Sequence, residues 1–146
     1  MTQPIISTRS ALEPGHDVEI TSYGVLHGEP PALRGLEAVE VDLTTALRNP
    51  HHDPAMRQLT GLDQVVYDHV MATEGAAAIV EGAVDEVTYQ LGQAGVLDGP
   101  VEVLVFCKGG RHRSVSVAIA LRAALAERGV QAGLTHRDVA KPVVQS

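Results

Sequence analysis

The stretch VEVLVFCKGGRHRSVSVAIALRAALAERGVQAGLT, residues 101–135, decides the fold. VEVLVF at 101–106 is an apolar, β-branched run of strand length. It reads as a central strand although it opens on a Val–Glu alternation. CKGGRHR follows as a glycine-bearing loop. SVSVAIALRAALAERG predicts an Ala-rich helix of about 15 residues, capped at Ser114 and stopped at Gly129. Val130 to Thr135 predicts another strand. Strand, loop, helix and strand make a βαβ unit, which places parallel strands in one sheet.

Upstream, Ala76, Val80, Ala83, Val84, Val87 and Leu91 recur at three and four and predict a long helix over 75–92. Leu62, Val65, Val66 and Val70 predict a shorter one over 61–72, with Thr60 as N-cap and Asp63 at the N3 place. VEITSY at 18–23, ended by Gly24, and AVEVDL at 38–43 read as strands, the second with Asp42 at its C-terminal end. Between them, Pro30 or Pro31 is suited to open one short helical turn. TTALRNPHHDPAMRQLTG at 44–61 reads as a long ordered loop, a form usually kept for function. Residues 1–16 predict an irregular arm, with one short strand around Ile5 and Ile6 as the alternative. Residues 17–146 predict a single domain. The expected fold is α/β: a three-layer domain with a mostly parallel sheet, a strand–anion loop–helix unit and Val101–Phe106 in a central parallel position.

The 146 residues are 45% hydrophobic and 20% charged, which suits a folded chain rather than a disordered one. Only four aromatics are present, three Tyr and one Phe, so stacking of single-stranded bases is a poor general mode. No apolar run is long enough for a membrane span, and the first residues lack the basic start and apolar core of a secretory signal. A cytoplasmic location is expected. One cysteine excludes an internal disulfide and a thiolate-rich zinc site. The net charge of −7 is uneven: residues 1–100 hold four Lys/Arg and 15 Asp/Glu, whereas 101–146 hold seven and three. That acidity opposes broad binding to nucleic acid and leaves room for a local basic site.

The local site is Cys107-Lys108-Gly109-Gly110-Arg111-His112-Arg113-Ser114. A strand delivers the chain to the sheet edge, and the two glycines allow a tight turn with uncovered backbone. Several N–H groups can then converge at the N-terminus of the next helix, an arrangement that favours a phosphate. Arg113 can offer a planar fork to two phosphate oxygens, while Lys108, Arg111 and His112 add positive charge. A plain Gly-Gly turn with solvated basic residues is the bland alternative. The nucleotide P-loop pattern is absent.

Cys107 heads a CxxGxxR[ST] string that resembles the active-site loop of cysteine-dependent phosphatases. In that reading its thiolate attacks phosphorus. Phe106 stands where those phosphatases generally have histidine, and Asp53, Asp63 and Asp138 are the candidate acids. The other reading makes Cys107 a small lining residue at a strand end. Asp42 is a candidate partner for Arg113, Arg137 or a ligand hydroxyl or amine, or a cap. Arg48, Asn49, Asp53 and Arg57 are candidates for the rim. His51, His52 and Asp53 are adjacent and make a poor chelate, so no metal site is expected. His69 reads as structural. His136 and Arg137 end the last strand; if that strand lies next to 101–106, they flank the anion loop.

GGRHRSV, RNPHHDPAMRQLTGLD at 48–63 and HR at 136–137 together resemble the C-terminal domain of RapZ-type RNase adapter proteins. The resemblance runs from about residue 18 to 139 and takes in Tyr23-Gly24, Asp42, Asn49-Pro50, Asp53-Pro54, Arg57 and Thr60-Gly61-Leu62-Asp63. It implies an α/β domain that binds glucosamine-6-phosphate and a small regulatory RNA. In that family an NTPase domain usually precedes this one; no GK[ST] string occurs in the 146 residues, so a stand-alone C-terminal domain is expected. Leu43 and Thr44 follow Asp42 where the family carries an arginine two places on, and the basic tail is reduced to Lys141. The expected function is a phosphorylated-metabolite binding or regulatory module, with an amino-sugar phosphate as one ligand. A cysteine-dependent phosphatase, a small-RNA adapter weakened by the negative charge, and a pure interaction protein are the alternatives. No cofactor is expected.

Overall fold

The computed structural model describes residues 17–35, 37–93 and 99–144. One parallel sheet holds β1 (Val18–Gly24), β2 (Val39–Asp42), β3 (Val101–Cys107) and β4 (Ala132–His136) in the order β2-β3-β1-β4. Three α-helices complete it: α1 (Gln64–Met71), α2 (Ala76–Leu91) and α3 (Arg113–Glu127). The expected arm at 1–16, with Ile5 and Ile6, lies outside the described residues.

The period of two along each strand sorts the sheet into faces. Val18, Ile20, Val39, Val41, Val101, Val103 and Val105 share a core with Val80, Val84, Val87, Val117, Leu121 and Leu125 from the helices. α3 packs on β1, β3 and β4, and α2 lies beside it on β2 and β3. The other face carries Glu102, whose carboxylate accepts the backbone N–H groups of Arg34 and Gly35 at 2.9 Å each. Helices, sheet and the irregular chain of 25–35 are thus the three layers, with β3 central as the sequence predicts. Among the described residues, no helix is long and apolar enough to cross a membrane.

α3 is buried almost all round in its first half, from Arg113 to Ala118. Strands and both other helices surround it. That enclosure explains its run of Ala, Ser and Val in place of a polar stripe. The helix starts one residue before Ser114, with His112 as N-cap and no side-chain cap bond. Ser114 turns its hydroxyl to Cys107 instead.

The sheet order corrects one expectation: β4 pairs with β1, so β1 separates it from β3. α1 corrects another. The Thr60–Asp63 exchange forms, with Asp63 Oδ2 accepting Thr60 N–H at 2.8 Å and Thr60 Oγ1 accepting Leu62 N–H at 3.0 Å. The regular helix nevertheless begins only at Gln64. Val66 and Val70 are fully buried, but Leu62 and Val65 are 60% and 56% exposed. Gly61, rather than Leu62, is the residue that presses on α3. The short helical turn of the 25–35 chain falls at Val25–His27, ahead of the prolines. In the long loop, Pro50–His52 forms a 3-10 turn, and Asn49 Oδ1 accepts His51 N–H at 3.1 Å.

Close backbone approach locks the loop after β3. A Cβ on Gly24 would lie 2.3 Å from Gly109 C and 2.5 Å from Gly110 N. Gly110 has φ of 69°, and its Cβ would lie 2.4 Å from Gly24 N. Gly61 meets the start of α3 in the same way, 2.7 Å from His112 O. Side chains cannot occupy such spaces without moving main chain.

Asp138 ties the same region from below. It is fully buried. Its Oδ2 accepts Gly24 N–H at 2.8 Å and Arg137 Nη2 at 2.9 Å, and its Oδ1 takes Lys141 Nζ at 2.6 Å. Burial pushes its pKa up, but the bonds from Arg137, Lys141 and Gly24 outweigh that and hold it at about 2 against an ordinary 3.8.

Two outcomes follow from this packing. Gly24→Ala should lower the unfolding free energy in urea by about 2–3 kcal/mol through overpacking. Gly82→Ala, in α2 with open space around its Cβ, should raise it by up to about 1 kcal/mol. Equal effects would show that the Gly24 contact is not tight. Asp138 has a folded pKa below its unfolded one, so its contribution is complete above about pH 5. It is lost as pH falls from about 4 to 2, amounting to roughly 2 kcal/mol. Thermal melts of Asp138→Asn should show lower stability at neutral pH and a flatter acid limb than wild type.

Candidate anion site

The site forms where β3 ends and α3 begins. Gly24 of β1 is in register with Cys107 of β3, so the two central strands finish side by side under the loop. The carbonyls of Lys108 and Arg111 are drawn off by Leu26 N–H at 3.0 Å and Gly61 N–H at 2.8 Å. Gly110 N–H turns the other way and donates to Cys107 Sγ at 3.3 Å, and the thiol lies 3.2 Å from Ser114 Oγ. Cys107 is buried.

The basic residues divide by task. Arg111 is a bracket: its Nε donates to Leu59 O at 2.9 Å, its Nη1 to Lys141 O at 2.9 Å, and its Nη2 to Gln58 O. His112 is a second bracket. Its Nε2 lies 3.1 Å from both Met56 O and Arg57 O, and carbonyls only accept, so Nε2 carries the proton. Burial holds the His112 pKa below 6.5, helped by the Arg111 charge and opposed by the carbonyl bonds. The ring is thus a neutral donor rather than a cation. Lys108 is exposed.

Arg113 is 3% exposed. Its Nη1 donates to Leu43 O at 2.7 Å and Ala46 O at 3.1 Å, pinning the chain after β2. Its Nε is buried and, among the described residues, has no hydrogen-bond partner. Burial pushes its pKa below the ordinary arginine value, and Cys107 pushes it back up. An arginine stays charged in proteins, so a buried guanidinium with an unmet N–H asks for an acceptor.

One cavity lies over the loop. Asn49, Cys107, Lys108, Gly109, Arg111, His112 and Arg113 line it, as do His51 and Pro142–Val144. The first seven are among the residues singled out from the sequence. Gly110 and Ser114 contact the Cys107 thiol, and the others went elsewhere. Asp42 is exposed and accepts Thr44 N–H at 2.9 Å and Thr44 Oγ1–H at 2.7 Å; these two bonds lower its pKa against a small desolvation effect. His136 Nδ1 lies 2.6 Å from Ser22 Oγ, and burial with the Arg122 charge lowers its pKa. Arg137 stacks over the Tyr23 ring at 5.0 Å, and Tyr23 stacks on Phe106 at 5.1 Å. Because β4 lies next to β1, His136 and Arg137 brace the end of β1 and do not line the cavity. Asp53 caps its own turn through Ala55 N–H at 2.9 Å, and Arg57 Nε donates to His51 O at 2.7 Å. Arg48 is exposed. Among the described residues, no group of three His, Cys, Asp or Glu is placed to hold a metal.

Three contributors were missed: His51, the tail Pro142–Val144, and Asp138 as organiser. His51 stands beside Asn49, a residue the sequence already marked, so adjacency was a signal. Asp138 is the only acid after Glu127, directly beside Arg137. The tail carries no sequence signal beyond Lys141-Pro142.

Comparison with known proteins gives the family. The RapZ C-terminal domain family matches residues 16–140. The chain is 35% identical over 127 residues to a nucleotide-binding protein of Thermobifida fusca, covering 84% of this chain and 40% of that protein. It is 38% identical over 127 residues to one of Parafrankia sp., covering 84% and 41%, and 34% identical over 135 residues to one of Streptomyces coelicolor, covering 88% and 42%. The chain therefore spans about 40% of the length of these relatives. The loop, the glycine contacts and Arg113 all lie within the matched residues, and the chain belongs to the RapZ C-terminal domain family.

Proposed function

We propose that this protein is a binding or regulatory module for a phosphorylated small molecule, held at the Cys107–Ser114 loop. The observation that carries the reading is the unmet N–H of Arg113 Nε, buried on a charged group beside a cavity at a helix N-terminus. A phosphate oxygen supplies the missing acceptor and a counter-charge together. Asn49 and His51 then stand where the rest of the ligand would be read, an amino-sugar phosphate being one such ligand. The relatives' description as nucleotide-binding proteins is compatible with the same phosphate chemistry. RNA is a weaker partner, because residues 1–100 carry 15 acidic and four basic residues.

A second reading has a specific support. Gly110 N–H and Ser114 Oγ both reach Cys107 Sγ, the contacts that would steady a thiolate attacking phosphorus. It lacks an acid for the leaving oxygen: Asp53 caps its own turn, Asp63 bonds Thr60 N–H, and Asp138 is fully engaged and buried. Cys107 is assigned to lining the site.

Calorimetric titration with inorganic phosphate and sugar phosphates tests the first reading. Arg113→Lys keeps the charge and removes the fork. It should weaken binding by about 1.5–3 kcal/mol, tenfold or more, with the melting temperature recorded to confirm folding. Undiminished binding in a folded variant sinks the assignment. Cys107→Ser should leave affinity within about threefold, roughly 0.65 kcal/mol. Wild type should not turn over an aryl phosphate; multiple turnover lost in Cys107→Ser would make the protein an enzyme.

A further inference from the structure

We propose that Pro142–Val144 is an autoinhibitory strap across the Cys107–Arg113 loop, displaced when a phosphate group binds; this rests on the anion-site reading above. Strap and loop bound the same cavity, in which about 20 Å³ is free, room for about one water. A phosphate group presents four oxygens, each about the size of a water, so group and strap cannot share the space.

The chain is built to lay the strap there and to release it. Asp138 O accepts Lys141 N–H at 3.0 Å, Asp138 Oδ1 takes Lys141 Nζ at 2.6 Å, and Lys141 O accepts Arg111 Nη1 at 2.9 Å. These three bonds fix Lys141 as the hinge post. Pro142 then sets its own φ and biases Lys141 toward extended backbone, which fixes the direction in which the chain leaves. Among the described residues no hydrogen bond holds 142–144, and Val143 and Val144 are half-buried. The Lys141 ammonium is 42% exposed, so solvent screens its share of the latch. Such a strap competes with the ligand by mass action: the fraction of molecules with it closed lowers apparent affinity by that fraction. Arg111 links the two states, because the same side chain braces the loop at Leu59 and the post at Lys141.

The test is calorimetric titration of inorganic phosphate into wild type, Lys141→Ala and the double variant Val143→Gly/Val144→Gly, each checked for folding by thermal melt. Both variants should bind at least threefold more tightly than wild type. In wild type, saturating phosphate should also move the Val143 and Val144 methyl NMR signals toward the values of a flexible chain. Equal affinity in all three, weaker binding in the valine variant, or unchanged methyl signals overturns the strap while leaving the site. No phosphate binding by any of the three folded proteins overturns the site reading and the strap with it.

Discussion

The contact of Gly24 with Gly109 and Gly110 is the constraint on which the rest depends. Parallel pairing of β1 with β3 brings Gly24 into register with Cys107, so the end of β1 runs directly beneath the turn. With main chain against main chain, the turn cannot slide along the strand. Gly61 applies the same restriction from the side, at the first residues of α3. Three backbone contacts from three parts of the sequence thus fix where Gly110 N–H, the thiol and the helix N-terminus stand. Preorganisation of this kind comes from covalent geometry and packing rather than from side-chain rotamers, and it costs no entropy when a ligand arrives.

Arg113 turns that rigid loop into a charged site. A buried guanidinium is costly unless its donors are met. Two carbonyls from Leu43 and Ala46 meet one end, and they belong to the chain leaving β2. The sheet order matters here: β2 lies beside β3, so its exit passes near the start of α3. The same side chain therefore holds a strand exit and lines the cavity over the loop. Arg111 and His112 relieve it of other structural duty by bracing residues 56–59, which keeps the long loop against the site. With His112 neutral, the local positive charge sits on Arg111, Arg113 and Lys108, Arg111 having its donors committed to carbonyls.

Much of this was legible in the sequence. Strand positions followed from the local patterns at 18–23 and 38–43 and from the apolar run at 101–106. Helix α2 followed from its stripe of small apolar residues, because both signals are local. What failed was tertiary. The neighbour of β4 depends on which strand slots between, and a βαβ unit can skip one strand without any change in its sequence. Leu62 and Val65 carry a helical stripe, yet Gly61 takes the packed position because α3 approaches to main-chain distance. Ser114 has the chemistry of a cap, but the thiol three-dimensionally next to it captures its hydroxyl. At the site, the loop and Arg113 were readable from residue type and spacing. The carbonyls that engage Arg113 were not, since any residue can supply a carbonyl.

Charge acts on this protein at two ranges. Among the described residues, most acidic side chains of 17–93 are exposed, and salt screens them beyond about 8 Å. In the proposed mode a small anion would lie in a cavity whose lining includes Arg113 and no carboxylate. A polyanion must lie along the surface and meet the exposed acidic side chains one after another. The same distribution can therefore tolerate a single phosphate while opposing a long one, with no need for a base-reading surface to decide between them. Asp138 shows the local version of this balance. A buried carboxylate under an anion loop would repel the ligand if left unpaired, but Arg137, Lys141 and Gly24 N–H surround it. Its charge is spent on holding the end of β1 and the post of the tail.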